Sequence, residues 1–367
     1  MIILGIETSC DETAIGILEA KKTKAGFFIK PLSNVVSSQI KIHKKYGGVV
    51  PMLASREHTK NIPFVLKKSL RQTFGSEKEF SKIDLIAVTK GPGLILSLLI
   101  GVNFAKTLAW AWEKPIMGVN HLEGHLFSFL LPEKNKSHKL SINDYEKIFP
   151  AICLLVSGGH TQLIHIKKFG DYKIIGETRD DAAGECFDKG ARILDLEYPG
   201  GPNIAKIAEQ VKTIQKISKL QDISLPRPMI HTKDYDFSFS GLKTALLYLT
   251  QEINFSNKKK KLTPMLAFEL QEAITDVLVE KTLKAAQEFK TKSIILAGGV
   301  SANLRLRQKF ENRLKERDLN IKLLTPLLEY TTDNAIMIAL AGFFQYVYNP
   351  RKIWDWKKLE AMANLRL

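Results

Sequence analysis

The sequence predicts an α/β protein of two lobes built on an internally duplicated β-sheet unit, and three stretches carry that prediction. Ile2-Ile3-Leu4-Gly5-Ile6 reads as a strand and residues 14–18 as another, joined by the small, polar turn Glu7-Thr8-Ser9-Cys10-Asp11-Glu12-Thr13. The same design returns mid-chain. Ala151-Ile152-Cys153-Leu154-Leu155-Val156 runs into Ser157-Gly158-Gly159-His160-Thr161, and residues 162–166 resume as a strand. Third, Ser293-Ile294-Ile295-Leu296-Ala297 is a buried-strand pattern that reaches Gly298-Gly299 and opens a helix near Ser301.

Between these anchors the elements follow in order. Residues 55–72 read as a helix and 83–89 as a strand that ends in the turn Gly91-Pro92-Gly93. The uncharged run 91–105 is too short to span a bilayer and predicts a buried helix. Residues 135–147 are polar and charged, which predicts a loop near a lobe boundary. Asp180-Asp181-Ala182-Ala183-Gly184-Glu185-Cys186-Phe187-Asp188-Lys189 reads as a loop entering a helix, and Tyr198-Pro199-Gly200-Gly201-Pro202 as a turn of close backbone approach. Phe237-Ser238-Phe239-Ser240-Gly241-Leu242-Lys243 starts another helix, with Ser240 as candidate cap. A solvated basic loop is expected at 258–261 and a long amphipathic helix over 264–289. Thr331-Thr332-Asp333-Asn334 caps a last helix over 335–348.

The chain of 367 residues is 45% hydrophobic and 25% charged, which fits a globular protein with room for two cores. Cys10, Cys153 and Cys186 are scattered and lack a C-x-x-C pair, so a reducing cytoplasm without disulfides is expected. The first residues run straight into a strand pattern, and no signal or transit peptide is expected there. Net charge is +16. A polyanionic partner or a lysine-rich solvated surface would each account for it. Basic clusters at 41–45, 67–71, 258–261, 305–309 and 351–358 carry few aromatics, which points to phosphate contact rather than base stacking.

Chemistry enters at Asn120-His121-Leu122-Glu123-Gly124-His125. On a helix His121 and His125 lie about 40° apart, so one face presents two imidazoles to a metal. Zinc proteases use the similar pattern H-E-x-x-H with a glutamate base. Here Glu123 stands two places after His121, about 200° around the axis, and points away. Asp333 is either a plain N-cap or a third ligand. The glycine turns at 157–161 and 298–303 are anion sites in outline, where backbone N–H groups come close and a helix begins.

Together these motifs resemble one family, TsaD, the transferase that places a threonylcarbamoyl group on tRNA adenosine. The resemblance rests on Gly5-Ile6-Glu7-Thr8-Ser9-Cys10-Asp11-Glu12-Thr13, Tyr46-Gly47-Gly48-Val49-Val50-Pro51, Ala54-Ser55-Arg56 and Gly91-Pro92-Gly93-Leu94. It continues through the His121–His125 motif, Val156-Ser157-Gly158-Gly159-His160-Thr161, residues 237–244, Ala297-Gly298-Gly299-Val300-Ser301-Ala302-Asn303 and Thr332-Asp333-Asn334. It implies the two-lobed sugar kinase, actin and Hsp70 fold around a central nucleotide cleft. The lobes would be 1–132, completed by the helix 334–348, and a nucleotide-binding lobe 150–333. A polar inter-lobe loop 133–149 and a basic tail 349–367 would complete the chain. Metal ligands would be His121, His125 and Asp333, holding one divalent ion, Fe2+ first and Zn2+ as the alternative. Leu155, Val156, Ser157, Gly158, Gly159, Asp188, Gly201 and Asn303 would bind the adenylate. Asp11 and Glu12 would be the catalytic acids.

The implied reaction moves threonylcarbamoyl from threonylcarbamoyl-AMP to N6 of adenosine 37, in the anticodon loop of tRNAs reading codons that begin with A. Implied partners are tRNA, a metal-free paralogous subunit (TsaB) and a small P-loop ATPase (TsaE). Three departures stand out: Thr331 where cysteine is usual, a longer 133–149 segment, and a tail after Tyr348 outside the resemblance. A metal-dependent endopeptidase and a non-enzymatic, nucleic-acid-binding ATPase-like module are the alternatives. A sugar kinase would need no His-x-x-x-His pair.

Overall fold

A computed structural model describes residues 1–211, 223–253, 255–350 and 355–367, with 255–261 described by backbone alone. The chain forms two compact units. The first comprises Met1–Phe149, Lys167–Tyr172 and Thr325–Leu367, and the second Pro150–Ile166 and Lys173–Leu324.

The first unit is built on β1 (Ile2–Glu7), β2 (Glu12–Thr23), β3 (Gly26–Ser38), β4 (Leu85–Gly91), β5 (Ile116–Asn120) and β6 (His138–Ser141), in the order β5-β4-β1-β2-β3-β6. β1 pairs antiparallel with β2 and parallel with β4. Side chains alternate across the sheet. Leu4, Ile6, Ile15 and Ile17 pack on Val65, Leu66 and Leu70 of helix Pro51–Phe74 and on Val102 and Ala105 of helix Ile95–Ala111. Gly5 and Gly16 turn to the opposite face, under helix Ala335–Tyr348. That helix is buried from Ala335 to Gln345, as its apolar circumference requires. Its approach is so close that a Cβ on Gly5 would lie 2.0 Å from the Ala335 carbonyl oxygen.

The second unit holds β7 (Ala151–Val156), β8 (Thr161–Lys168), β9 (Asp171–Glu177), β10 (Ser293–Ala297) and β11 (Lys322–Leu324), in the order β11-β10-β7-β8-β9. β7 pairs antiparallel with β8 and parallel with β10. β7 and β10 are buried along their whole length, the usual state of parallel strands covered on both faces. The pattern β5-β4-β1-β2-β3 thus recurs as β11-β10-β7-β8-β9, and the expected duplication is present in the topology.

Several local expectations are corrected. Residues 133–149, expected as a polar loop, contain β6 and helix Ile142–Ile148, and β6 extends the first sheet at its β3 edge. Residues 258–261 belong to helix Phe255–Glu288, since lysine sits well in a helix and the backbone continues ahead of Pro264. Ser240 begins helix Ser240–Glu252 without capping it. The Asp180 carboxylate does so from a distant loop, accepting from the backbone N–H of Phe239 at 2.7 Å and of Ser240 at 3.1 Å. Asp333 is not the last helix's cap either. Asn334 is, its Oδ1 accepting from the Met337 N–H at 3.0 Å.

Candidate metal centre and glycine turns

β5 ends at Asn120, whose side chain accepts from the Leu122 N–H and so caps helix His121–Phe127. All seven residues of that short helix are buried. Because Asn334 takes the cap of helix Ala335–Tyr348, the Asp333 carboxylate is released to face the histidines. Its Oδ1 lies 3.5 Å from His121 Nε2 and 3.2 Å from His125 Nε2. Among the described residues, this trio is the group of His, Cys, Asp or Glu that could hold a metal, with ligand atoms within 4.8 Å of one another. The imidazoles stand nearly perpendicular, their centroids 4.8 Å apart.

The donor set fits a divalent transition metal: two imidazole nitrogens from helix His121–Phe127 and one carboxylate oxygen from the residue ahead of the Asn334 cap. The surroundings fit as well. Fully buried Glu7, the last residue of β1, meets His121 Nδ1 at 2.9 Å and accepts from the Thr89 hydroxyl at 2.6 Å. A carboxylate behind a ligating histidine orients its ring and leaves the other nitrogen for the ion. Ser9 Oγ lies 3.2 Å from the same Nδ1. The Nδ1 of His125 is buried without a hydrogen-bond partner, so the second ring is held by packing rather than by a partner of this kind.

Electrostatics follow from this cage. Burial pulls the His121 pKa down, but Glu7 and Asp333 outweigh it and raise it to about 9. Burial pushes Glu7 the other way, and His121 nevertheless holds it below its ordinary value. In the turn after β1, burial and then Asp333 raise Asp11, and burial and then Asp11 raise Glu12 to about 8. Glu12 accepts from Ser38 Oγ at 2.9 Å through one oxygen. The backbone of the turn is fixed by three neighbours: His58 Nε2 on the Cys10 carbonyl at 3.0 Å, Gln39 N on that of Asp11 and Leu94 N on that of Ser9.

The candidate adenylate residues gather in the second unit. The turns after β7 and β10 leave adjacent parallel strands, and a Cβ on Gly298 would lie 2.5 Å from the Val156 carbonyl oxygen. Ser157 accepts from the Gly184 N–H at 3.2 Å, which brings in helix Ala183–Ile193 with Asp188. Asp188 in turn accepts from Gly200 N at 2.6 Å, next to Gly201. Gly158 and Gly159 face open space, with nothing within 4 Å of a Cβ on either. Leu155 and Val156 are buried strand residues beneath them. Asn303 is engaged at both ends of its amide: Oδ1 caps helix Leu304–Glu316 and Nδ2 bonds to Gln271 Oε1 at 2.9 Å.

Sequence reasoning passed over Glu7, His58, Tyr172 and Gln345. Glu7 had a signal, since it is the one charged residue in the otherwise apolar strand Ile2–Glu7. Thr331 sits beside Asp333 but bonds back to the Leu328 carbonyl at 2.8 Å, so no ligand contact runs through its hydroxyl. Glu123, the residue a peptidase reading would need as base, is buried behind the helix and accepts from Tyr172 and Gln345.

Fold and site together define an α/β protein of two like sheet units with a histidine–carboxylate group suited to a metal at the end of its first sheet. Residues 30–340 match the family model described as TsaD, tRNA N6-adenosine threonylcarbamoyltransferase. The chain belongs to this family, and its activity is N6-threonylcarbamoylation of tRNA adenosine, the formation of t6A. The tRNA N6-adenosine threonylcarbamoyltransferase of Thermosipho africanus is 45% identical over 367 residues, covering 100% of both chains. That of Bacillus subtilis is 44% identical over 356 residues, 97% of this chain and 93% of the relative. The Thermosipho match runs through the tail after Tyr348, which corrects the expectation that the tail lies outside the likeness. Among solved structures, full-length HypF in its phosphate- and nucleotide-bound form aligns with a TM-score of 0.55 at 11% identity. The alignment covers 95% of this chain and 46% of HypF, and it shows likeness of fold alone.

Proposed function

We propose that this chain transfers threonylcarbamoyl from threonylcarbamoyl-AMP to N6 of adenosine 37 in tRNAs reading codons that begin with A. We further propose that it does so with a divalent metal, Fe2+ before Zn2+, at His121, His125 and Asp333. The observation that carries the reading is the convergence of two imidazole Nε2 atoms on Asp333 Oδ1, with Glu7 behind one ring. When bound, such an ion would supply positive charge that orients the donor and offsets charge on its oxygens.

The rest falls to the chain's own groups. Leu155 to Gly159, with Asp188, Gly201 and the Asn303 turn, would hold the adenylate on the second unit. Open space above Gly158 and Gly159 supports a backbone approach to phosphate. N6 attacks the carbamoyl carbon, the bond from that carbon to the phosphate oxygen breaks, AMP departs and N6 loses a proton. An aromatic amine is a weak nucleophile, so positioning should supply much of the acceleration. Asp11 is the proposed proton acceptor. Glu12, whose pKa near 8 keeps it protonated at neutral pH, is proposed to shape the turn beside Asp11.

Partners proposed from the family likeness are tRNA, the paralogous TsaB and the ATPase TsaE, in the cytoplasm. Among the described residues no helix is long and apolar enough to cross a membrane, and the three cysteines are free thiols. The deciding experiment gives the purified chain donor and tRNA, alone and with the two partners, and measures t6A against metal content. Metal-stripped protein with full activity would remove the metal from the proposal. Hydrolysis of peptides by the same preparation would favour the endopeptidase alternative.

A further inference from the structure

In His121-Leu122-Glu123-Gly124-His125 the residue that points away from the ligand face has a place of its own in the fold. Glu123 is 7% exposed, and its carboxylate is reached from two other elements. The Tyr172 hydroxyl donates to Oε1 at 2.8 Å, and Gln345 Nε2 donates to Oε2. Tyr172 lies at the tip of the β8–β9 hairpin, in the segment Lys167–Tyr172 that belongs to the first unit. Gln345 lies on helix Ala335–Tyr348, whose N-terminus immediately follows Asp333. One carboxylate therefore joins the helix carrying two metal ligands to the helix that begins beside the third.

Packing around it is equally specific. A Cβ on Gly124 would meet Ile338 Cδ1 at 2.9 Å and Met337 Cγ at 3.0 Å, so the two helices touch where glycine permits it. Phe127 packs on Phe169, Tyr172 and Phe344 at centroid distances of 5.0, 6.2 and 5.7 Å. A helix of seven residues has little stability alone, so its rotation and height must be set by such outside contacts. The ligand trio is sensitive to both, because His121 and His125 project from the face opposite Glu123.

We propose that Glu123, Tyr172 and Gln345 are positioning residues that hold the helix bearing His121 and His125 and the helix that follows Asp333 at the separation the metal requires. The proposal rests on the metal-centre reading above. A carboxylate suits the place because it accepts at both oxygens, whereas an amide would set an N–H against one of the two donors.

The test uses the full chain, stripped with chelator and titrated with Co2+, whose visible absorption reports ligand geometry. Tyr172→Phe removes one hydroxyl and keeps the ring on Phe127. Gln345→Leu removes the other donor. Each should weaken Co2+ binding about 10-fold or more and alter the visible band, the size of effect seen when partners behind ligands are lost. Far-UV circular dichroism should stay unchanged. Glu123→Gln should fall between the wild type and Glu123→Leu. Wild-type Co2+ affinity and spectrum in both folded Tyr172→Phe and Gln345→Leu would overturn the proposal, even if their melting points fell, because that pattern marks a purely structural role. Absence of Co2+ binding by the wild type would instead overturn the metal centre itself, and this inference with it.

Discussion

His121 sits between two carboxylates, and that placement fixes its response to pH. With a folded pKa of about 9 against an ordinary 6.5, it contributes stability that is full below pH 6.5 and is lost as pH rises through 9. Glu12 adds to the same trend. Between its usual 4.5 and about 8 the folded state holds a proton that the unfolded chain has released, so its contribution also falls as pH rises. Metal-free protein should therefore show a lower urea midpoint at pH 9 than at pH 6, and Glu12→Gln should flatten the part below pH 8. Metal binding must displace the His121 proton, so affinity should climb with pH across the same window, by up to about tenfold per unit. Isothermal titration in buffers of different ionisation enthalpy would count that proton. Asp333→Ala should remove most bound metal yet leave helix Ala335–Tyr348 capped by Asn334, so its melting temperature should change little. Full occupancy in that variant would show that the carboxylate is no ligand.

The glycine turns separate into two kinds, and substitution should tell them apart. Gly298 has φ +82° and its Cβ would lie 2.5 Å from a backbone oxygen, so Gly298→Ala should cost about 2 kcal/mol or more in unfolding experiments. Gly158 faces open space, so Gly158→Val should fold normally and lose AMP affinity, read by calorimetry. Helix Leu304–Glu316 behaves as an element in another way. Arg305 grips Glu272 with two bonds of 2.7 and 2.8 Å, Lys309 reaches Glu272 and Asp276, and Arg313 and Arg317 reach Glu280. Glu272→Gln should cost about 1–3 kcal/mol, because Glu272 is largely buried between two cations. Much at this scale was legible in the sequence. The strand-and-turn pattern of Ile2–Glu7 and Ala151–Val156 gave away both hairpins, since apolar runs ending in small residues have few other uses. The pairing of the 305–309 cations with Glu272 and Asp276 was not legible. It depends on how two helices meet, and no local pattern encodes that. Nor was the cap at Asn334, where two adjacent polar residues competed for one role and only backbone geometry decided.

For the whole molecule, the formal charge of +16 overstates what is free to meet tRNA, because the 305–317 cations are largely neutralised within the second unit. Exposed Lys41 and Lys45 are better placed. tRNA affinity should fall steeply with salt. Lys41→Gln or Lys45→Gln should lower the log–log slope by up to about 1 each, while Arg305→Gln should leave it unchanged. Filter binding across a salt series would decide, and a flat response in the wild type would remove phosphate contact from the account. From local pattern alone the His121–Asp333 site was readable only in halves, because its members lie far apart along the chain; the family resemblance joined them in the sequence, and the fold brings them within reach of one another. The two like hairpins, finally, differ in what their turns carry. At the end of β1 stands Glu7, followed by Asp11 and Glu12; at the end of β7 stands Val156, followed by two glycines. An acidic turn repels phosphate, and a bare glycine turn has no carboxylate to lend a cation. One strand-and-turn design thus ends in two turns of opposite character, carboxylate-lined after β1 and bare after β7, so an added charge of either sign should be felt differently at each.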